Sequence, residues 1–351
     1  MADLDIRLYR DGGQSALDVA GEVAAFFGAA ERTLDLALYD IRLHDEPAEI
    51  VKAAFTAAHE RGVRVRLVYN ANDHRGPIPV PPPPRTEPEL LNLLPLETRP
   101  IPGEPDLMHH KYAVRDGEAV WTGSLNWTDD SWSRQENVVV VAISRPLAHA
   151  YALNFEELWE GGLVEGSGKV EPRPVDVGGI EVRPWFSPGH GDELAHRIAK
   201  RIGQARRRVR IASPVLTSGP ILGTLAEVCS EGRVDVAGVI DDTQVDGVLH
   251  QWRLNGNASW KVPALRRLLE AASWSGKPST HWAPDTVHDF MHAKVVVADD
   301  VAFVGSFNLS RSGELNAENV LELRDAAIAD RLAAFVDEIR ALYPAVTLPP
   351  A

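Results

Sequence analysis

The sequence predicts an α/β protein of two similar lobes, related by a pseudo-twofold axis and sharing one site at their interface. Three observations support this prediction. Residues 290–308 almost repeat residues 108–126, position by position. Both halves place alternating strand-like and helix-like segments ahead of that repeat, which is typical of β-α-β units with parallel strands. With 351 residues, the chain is long enough for two ordinary domains.

The first lobe is predicted to cover residues 1–160. Apolar residues of period two predict its strands, and longer alanine-rich or amphipathic segments predict its helices. In chain order we expect strands at 6–9, 33–41 and 63–70, separated by helices at 15–27 and 47–61. After the repeat we expect a short helix at 127–135, a strand at 137–142 and a helix at 146–160.

A proline-rich stretch interrupts this lobe. Residues 74–105 contain eleven prolines, including the run 81–84. Such a stretch cannot be helical and favours polyproline II or irregular loop. We interpret it as a spacer loop; the alternative is a lid or wall over the mouth of the site.

The second lobe, predicted at residues 180–351, follows a glycine- and proline-rich linker at 161–179. It repeats the plan of the first lobe. Strands are expected at 180–184, 208–216, 232–241 and 319–323, and helices at 192–205, 221–230 and 326–342. An insertion at 245–287 precedes the second repeat.

Each repeat carries the same polar residues in the same order, and two intact copies are far beyond chance. The copies contain His109, Lys111, Asp116, Gly123, Ser124 and Asn126, and His292, Lys294, Asp299, Gly305, Ser306 and Asn308. The first three members recur at an offset of 183 residues and the last three at 182, because one residue is missing in the second copy. Glu136 and Glu318 also keep the offset of 182, each ahead of an apolar strand.

The local structure predicted for the repeats groups these side chains. Residues two apart on a strand share a face, so each His points the same way as its Lys. Asp116 and Asp299 lie five residues beyond the lysines, on the opposite face, and we interpret them as structural residues of turns. Gly123 and Gly305 are expected to allow a tight turn and a close backbone approach to a ligand. The Ser and Asn residues add hydrogen-bond donors.

Two such halves face to face would suit a phosphodiester. Two lysines and several amide donors can hold the nonbridging oxygens and the charge of the transition state. One neutral His can attack phosphorus, and a second, protonated His can protonate the leaving alkoxide. Glu136 and Glu318 are the candidates for orienting the two imidazoles. The residues alone do not distinguish which His is the nucleophile.

The doubled H-x-K-x4-D pattern with a following G-S-x-N resembles the phospholipase D superfamily, the HKD phosphodiesterases. The resemblance covers both halves of the chain. It implies a phosphodiesterase or phosphatidyltransferase that forms a phosphohistidine and needs no metal or cofactor. It also implies that His109 is the nucleophile and His292 the general acid. His281 and His288 lie near the second repeat, but no cluster of metal ligands accompanies them, so no metal site is predicted.

The composition of the chain indicates in which cellular environment we expect this protein. The chain is 44% hydrophobic and 25% charged, as in soluble globular proteins, and its single cysteine, Cys229, excludes an internal disulfide. The N-terminus does not resemble a secretory signal, and no apolar run reaches about 20 residues. We therefore expect a cytoplasmic protein with no stable membrane insertion; a monomer is plausible, but the sequence does not give the oligomeric state.

The sequence does not decide whether the substrate is a phospholipid or a nucleic acid. The net charge of −14 and the tryptophans, Trp127 and Trp132 among them, favour a phospholipid head group. Seven Lys or Arg within 197–210, with no acidic residue among them, favour a nuclease acting on DNA or RNA. We take head-group hydrolysis or transfer as the main hypothesis. A third hypothesis is a catalytically silent protein that binds phosphate or lipid.

Overall fold

The computed structural model describes residues 3–71, 86, 91–254, 256, 258–281, 283 and 286–346. In the first half of the chain these residues form nine strands: β1 (Leu4–Tyr9), β2 (Thr33–Leu38), β3 (Ile41–Arg42), β4 (Arg64–Asn70), β5 (Glu97–Ile101), β6 (Lys111–Arg115), β7 (Ala119–Gly123), β8 (Trp127–Thr128) and β9 (Asn137–Ile143). The helices of this half are α1 (Ala16–Gly28), α2 (Asp45–Glu60), α3 (Asp129–Ser133) and α4 (Arg145–Gly161).

The second half follows the same order with additions. Its described strands are β10 (Val175–Val177), β11 (Ile180–Phe186), β12 (Arg208–Ala212), β13 (Asp235–Asp241), β14 (Ser273–Lys277), β15 (Val295–Ala298), β16 (Val301–Gly305) and β17 (Asn319–Arg324). Its helices are α5 (Gly191–Gln204), α6 (Gly219–Glu231), α7 (Asp242–Leu254), α8 (Ala258–Ala271), α9 (Arg311–Leu315) and α10 (Ala326–Leu342).

Each half builds one large mixed sheet. The first runs β1-β9-β7-β6-β2-β4-β5, and the second repeats this order with β10 added at one edge, as β10-β11-β17-β16-β15-β12-β13-β14. β3 and β8 pair separately in parallel. In both large sheets, the β-α-β unit pairs in parallel, and the strand that begins at or just after the motif lysine lies antiparallel beside it. The predicted α/β fold of two similar lobes is confirmed.

Three strands that the sequence did not predict lie at the edges of the two sheets. β5 extends the first sheet from within the proline-rich stretch, where Pro100 is tolerated because β5 is an edge strand. β14 extends the second sheet from within the insertion. β10, inside the predicted linker, pairs with β11. The proline run 81–84, for which a spacer or a lid was expected, lies outside the described residues.

An apolar cluster spans both lobes and joins them. It combines side chains of α4, such as Tyr151 and Phe155, with side chains of α10, such as Phe335, and with Phe186 of β11. Burial of so much shared apolar surface stabilises the arrangement in which β7 and β9 contact β16. The two repeats are thereby held opposite each other.

Two tryptophans expected near a ligand belong instead to the first lobe's own core. Trp127 and Trp132 are fully buried, and their rings meet edge to face with centroids 6.0 Å apart. Trp127 also packs on Phe27 of α1. They therefore cannot stack on a base or contact an acyl chain. Among the described helices, none combines the length and apolarity needed to cross a bilayer.

Candidate active site

The first motif histidine, His109, is fixed by backbone hydrogen bonds between the lobes. The His109 N–H donates to the carbonyl oxygen of Ala317 at 2.9 Å, and the Ala317 N–H donates to the carbonyl of Leu107 at 2.8 Å. Ala317 precedes Glu318 and the strand β17. The segment 107–109 is thus hydrogen-bonded directly to the second lobe, next to Glu318, the predicted orienting glutamate.

Two anchoring residues were missed by sequence reasoning. Asn70, the last residue of β4, accepts the N–H of Met108 through Oδ1 at 2.9 Å. Asp241, the last residue of β13, accepts the N–H of Met291 through Oδ2 at 2.9 Å. Each holds the residue immediately before a motif histidine. The available signal was a polar residue ending an otherwise apolar parallel strand in both halves.

Each motif imidazole takes its Nδ1 partner from the opposite lobe. His109 Nδ1 lies 2.8 Å from Glu318 Oε2, so the Nδ1–H donates to a carboxylate that is itself fully buried. His292 Nδ1 lies 3.0 Å from Asn137 Oδ1. With Nδ1 protonated, Nε2 of each ring is left for chemistry. The orienting group expected at His109 is therefore present, and it comes from across the interface.

The orienting role expected of Glu136 at His292 is not what the structure shows. The Glu136 carboxylate binds Lys277 Nζ at 3.0 Å and also accepts the hydroxyl of Tyr343. Both partners lie far away in the sequence, so the motif gave no sign of them. The neighbouring Asn137 serves His292 instead, and its amide is fixed because Nδ2 donates to Ser131.

The two lysines are buried beside the histidines. Lys111 Nζ donates to the carbonyl of His109, and Lys294 Nζ to the carbonyl of His292, each at 2.6 Å. Burial lowers the pKa of Lys111 to about 7, although Glu318 opposes this effect. Burial also lowers the pKa of Lys294 well below its usual value, and the positive charge of Lys111 adds to that shift.

Burial likewise lowers the pKa of both histidines. The pKa of His109 falls to about 4, against the opposing influence of Glu318. The pKa of His292 falls well below its usual value, because Lys294, Lys111 and His109 add to the effect of burial. The two histidines and two lysines thus lie close enough to repel one another's charge. A bound anion would offset this repulsion, and this is the electrostatic character of an anion site.

The serines and asparagines of the motif divide into two roles. Ser124 Oγ donates to Asn137 Oδ1 at 2.8 Å and accepts the N–H of Val138; Ser306 Oγ accepts the N–H of Asn319 at 3.0 Å. The serines thus hold neighbouring strands together. Within the described residues, the Oδ1 atoms of Asn126 and Asn308 are buried and have no hydrogen-bond partner. Each Oδ1 can therefore accept a donor from a ligand, whereas the Nδ2–H groups of the same amides are the atoms that could donate to a phosphate oxygen.

The glycines of the motif serve packing and do not form the turn expected of them. Gly123 ends β7 and Gly305 ends β16. A Cβ at Gly123 would lie 2.1 Å from the carbonyl oxygen of Val138, and one at Gly305 would lie 2.0 Å from that of Asn319. Only glycine allows these strands to approach so closely.

The motif aspartates lie away from the histidines. Asp116 and Asp299 occupy turns with φ of 56° and 52°. The Asp116 carboxylate accepts backbone N–H groups of residues 31–33, and that of Asp299 accepts those of residues 206–208. Each aspartate therefore ties its turn to the start of the neighbouring strand, a structural role.

Comparison with known proteins decides the family. The family model described as "Cardiolipin synthase, PLD-like domain" matches residues 23–159 and 198–340. The chain belongs to this phospholipase D-like family. The two matched segments contain both copies of the motif and both orienting acceptors, Glu318 and Asn137.

Curated relatives match part of this phospholipase D-like chain. Proteins named mitochondrial cardiolipin hydrolase from Xenopus tropicalis and Homo sapiens are 30% and 28% identical to it over 135 and 134 residues. These segments are 37% and 38% of this chain and 56% and 47% of the relatives. The chain thus spans about half the length of the curated relatives it matches.

Solved structures share the fold. The phosphatidylserine synthase of Haemophilus influenzae superposes with a TM-score of 0.68 at 14% identity, over 96% of this chain and 86% of that one. The polyphosphate kinase of Porphyromonas gingivalis gives 0.57 at 12% identity, over 96% and 50%. At these identities the likeness establishes the two-lobed fold.

The basic segment that favoured nucleic acid is largely occupied by carboxylates. Two of its arginines bind the buried Glu322, and three more bind aspartates; the pairs are Arg197 and Arg201 with Glu322, Arg207 with Asp300, Arg208 with Asp330, and Arg210 with Asp235 and Asp337. These guanidinium groups stabilise the second lobe's own surface, which leaves them poorly placed to bind phosphates. Across the described parts of the chain, no cluster of three or more His, Cys, Asp or Glu is arranged to hold a metal ion.

Sulfate should bind this site more weakly as the pH rises through about 7. Lys111, with its pKa of about 7, loses its positive charge in this range, whereas sulfate keeps both negative charges. Titration calorimetry from about pH 6 to about pH 8.5 measures the effect. Lys111→Met is the matched control, and it should bind sulfate weakly at every pH. An affinity of the unaltered protein that stays constant with pH would contradict the assignment.

Proposed function

We propose that this chain is a phospholipase D-type phosphodiesterase that hydrolyses or transfers phospholipid head groups through a phosphohistidine. One observation carries the proposal: the two lobes bring two His–Lys pairs together in one buried site, with Nδ1 of His109 held by a carboxylate. A nucleophile, a proton donor and two cations are what a phosphodiester displacement requires.

The first step uses His109 as a neutral nucleophile. Its Nε2 lone pair forms a bond to phosphorus, and the bond between phosphorus and the leaving alcohol oxygen breaks. The electron pair of that bond stays on the oxygen, which takes the proton from Nε2 of His292. The phosphorylated ring of His109 carries positive charge, and Glu318, 2.8 Å from its Nδ1, stabilises that charge.

The second step reverses these roles. His292, now neutral, removes a proton from a water or an alcohol, whose oxygen attacks phosphorus. The bond to Nε2 breaks, its electron pair returns to His109, and His292 is protonated again. Water yields phosphatidic acid, and an alcohol yields a new diester. The negative charge of the substrate favours protonated His292, because it offsets the neighbouring positive groups that lower the histidine's pKa.

The remaining motif residues would hold the phosphoryl group. Lys111 and Lys294 supply positive charge from opposite lobes, and Asn126 and Asn308 would donate to the nonbridging oxygens through Nδ2. Charge on the nonbridging oxygens grows in the transition state, so donors fixed in advance lower the barrier. The serines and aspartates of the motif position these groups without touching the substrate.

Three observations support a phospholipid over a nucleic acid. The matching family description and the curated relatives' names both refer to cardiolipin, a phospholipid. The segment 197–210 is the main basic feature of the sequence, and five of its six guanidinium groups are engaged by carboxylates. With a net charge of −14, the chain also lacks the overall charge that draws a protein to polyanions.

Paired reactions test this function. The purified protein is given mixed micelles of phosphatidylcholine and cardiolipin with added ethanol, and separately single- and double-stranded DNA and RNA. We expect phosphatidic acid or phosphatidylethanol from the micelles, and neither product with His109→Asn. The ratio of the two products measures hydrolysis against transfer. Cleavage of nucleic acid alone would overturn the phospholipid assignment, and inactivity in both would overturn the enzymatic one.

A further inference from the structure

The hydrogen bonds at the two imidazoles break the symmetry of the site. Both lobes carry a Glu-Asn pair at the start of the last sheet strand, Glu136-Asn137 and Glu318-Asn319. His109 takes the glutamate of its pair, at 2.8 Å. His292 takes the asparagine of its pair, at 3.0 Å. One histidine thus faces a carboxylate and the other a neutral amide, although the sequence offers both the same choice.

The first cause of this difference is Lys277, which binds the glutamate that His292 does not use. Lys277 pairs in register with Asp241, whereas the equivalent residue Asn70 of the first lobe pairs with Ile101. An apolar side chain therefore occupies the matching place in the other sheet. Lys277 is buried, and its Nζ lies 3.0 Å from Glu136 and 3.1 Å from Asp11.

The second cause is His110, which binds the asparagine that His109 does not use. His110 Nδ1 lies 3.1 Å from Asn319 Oδ1, and the amide Nδ2 of Asn319 donates to Thr122 Oγ1 at 2.6 Å. The matching residue after His292 is Ala293, which has no polar group to offer. Asn137 Oδ1, which also accepts from Ser124 Oγ, therefore keeps a second lone pair for His292, whereas Asn319 Oδ1 is bound by His110.

We propose that Lys277 and His110 are positioning residues that assign different roles to the two histidines. Lys277 keeps Glu136 away from His292, and His110 keeps Asn319 away from His109. Neither residue has a polar counterpart in the other lobe, where Ile101 and Ala293 occupy the matching places. Together they leave His109 as the imidazole with a carboxylate at Nδ1.

The consequence for the reaction rests on the function proposed above. A ring phosphorylated at Nε2 becomes cationic, and a carboxylate at Nδ1 stabilises that cation more than an amide oxygen does. His109 is therefore the better nucleophile. His292, with a neutral acceptor, releases its proton to the leaving oxygen more readily. The pair Lys277–Glu136 thus acts on catalysis through His292 without contacting the substrate.

Nuclear magnetic resonance of the ligand-free protein labelled with ¹⁵N-histidine tests the proposal without reference to activity. An imidazole N–H that donates to a buried carboxylate resonates far downfield. We expect one such signal, lost in His109→Asn and in Glu318→Gln. In Lys277→Met, a second signal should appear, because Glu136 then keeps the Tyr343 hydroxyl as a partner but has a carboxylate oxygen left to accept from His292. A spectrum of Lys277→Met without it would overturn the role of Lys277.

A double variant tests whether the carboxylate behind the second signal is that of Glu136. Lys277→Met combined with Glu136→Gln removes both charges of the buried pair, which favours folding, and it should show the His109 signal alone. A second signal in this variant would overturn the proposal, since its carboxylate would not come from Glu136.

His110→Ala keeps the proposal falsifiable if Lys277→Met does not fold. It installs the residue found in the second lobe but leaves a cavity beside Tyr112 and Phe186, so we expect a folded protein of lower stability. Released Asn319 should draw Nδ1 of His109 away from Glu318. The downfield signal should weaken, and kcat should fall roughly tenfold or more with a smaller change in KM. An unchanged His109 signal would overturn the role of His110.

Mapping the covalent intermediate separates this inference from the proposed function. Turnover of dihexanoyl-phosphatidylcholine is quenched with alkali, and the modified histidine is located by mass spectrometry. We expect the group on His109 alone in the unaltered protein and on both histidines in Lys277→Met. Modification of His292 in the unaltered protein would overturn the inference. Absence of any modified histidine, with the expected resonance changes, would overturn the phosphohistidine chemistry and leave the positioning roles intact.

Discussion

His109→Asn should lower the turnover of a phosphodiester by roughly 10⁴-fold or more, because asparagine cannot form the covalent intermediate. The amide Nδ2 of the new side chain can still donate to Glu318, so the buried carboxylate keeps a partner and the fold should persist. Initial rates on short-chain phosphatidylcholine measure the loss. Thermal unfolding of the same preparation checks the fold.

His149→Asn is the matched control for this substitution. His149 lies on α4 with an exposed side chain, so its replacement should leave both rate and stability unchanged. If His109→Asn kept more than about a hundredth of the activity while the control behaved as expected, another residue would have to be the nucleophile.

His292→Asn should slow cleavage in proportion to how much the leaving group needs a proton. With a phospholipid, whose leaving group is an alkoxide, the loss should be about 10²–10⁴-fold. With a p-nitrophenyl ester of phosphatidic acid, p-nitrophenolate leaves without help, and the loss in the first step should be about tenfold or less. The burst of p-nitrophenolate isolates that step, since His292 is also the base of the second one.

The ratio of the two losses is the informative quantity. Both substrates are assayed on one preparation, so any loss of folded protein cancels. Equal losses on the phospholipid and on the p-nitrophenyl ester would contradict the role of His292 as the general acid. Near-complete loss of activity on both substrates would point to His292 as the nucleophile instead, because attack on phosphorus is needed whichever group leaves.

Much of the fold could be predicted because its signals are local. A strand such as β4 is indicated by the period-two pattern of its own apolar residues. The helix α10 is likewise indicated by its own amphipathic pattern. The strands β5 and β14 lacked such a signal. β5 contains Pro100 within a proline-rich stretch, and β14 contains Gly276; both become strands because each sheet offers an open edge.

The site residues also divide into those with a local sequence signal and those without one. The side chains that carry the chemistry were predictable, since His, Lys and Asn recur at fixed spacing in both halves. Their partners were not. Whether His292 bonds to Glu136 or to Asn137 depends on Lys277, which lies about 140 residues from that pair in sequence and reaches it only through tertiary packing. From the sequence alone, Glu136 and Asn137 are equally good candidates to bind His292. Only the folded structure, in which Lys277 binds Glu136, distinguishes them.

The exchange of orienting partners between the lobes also bears on how the protein is made. During synthesis, the first half emerges with His109, Lys111 and Asn126 in place but without Glu318, which is 209 residues further along. Under the proposed function, such a partial chain has its nucleophile but lacks the carboxylate that orients it. Phosphodiester cleavage would therefore require the second lobe as far as Glu318, the residue before β17. Separation of the two lobes would remove Glu318 from His109, so loss of activity would report that separation.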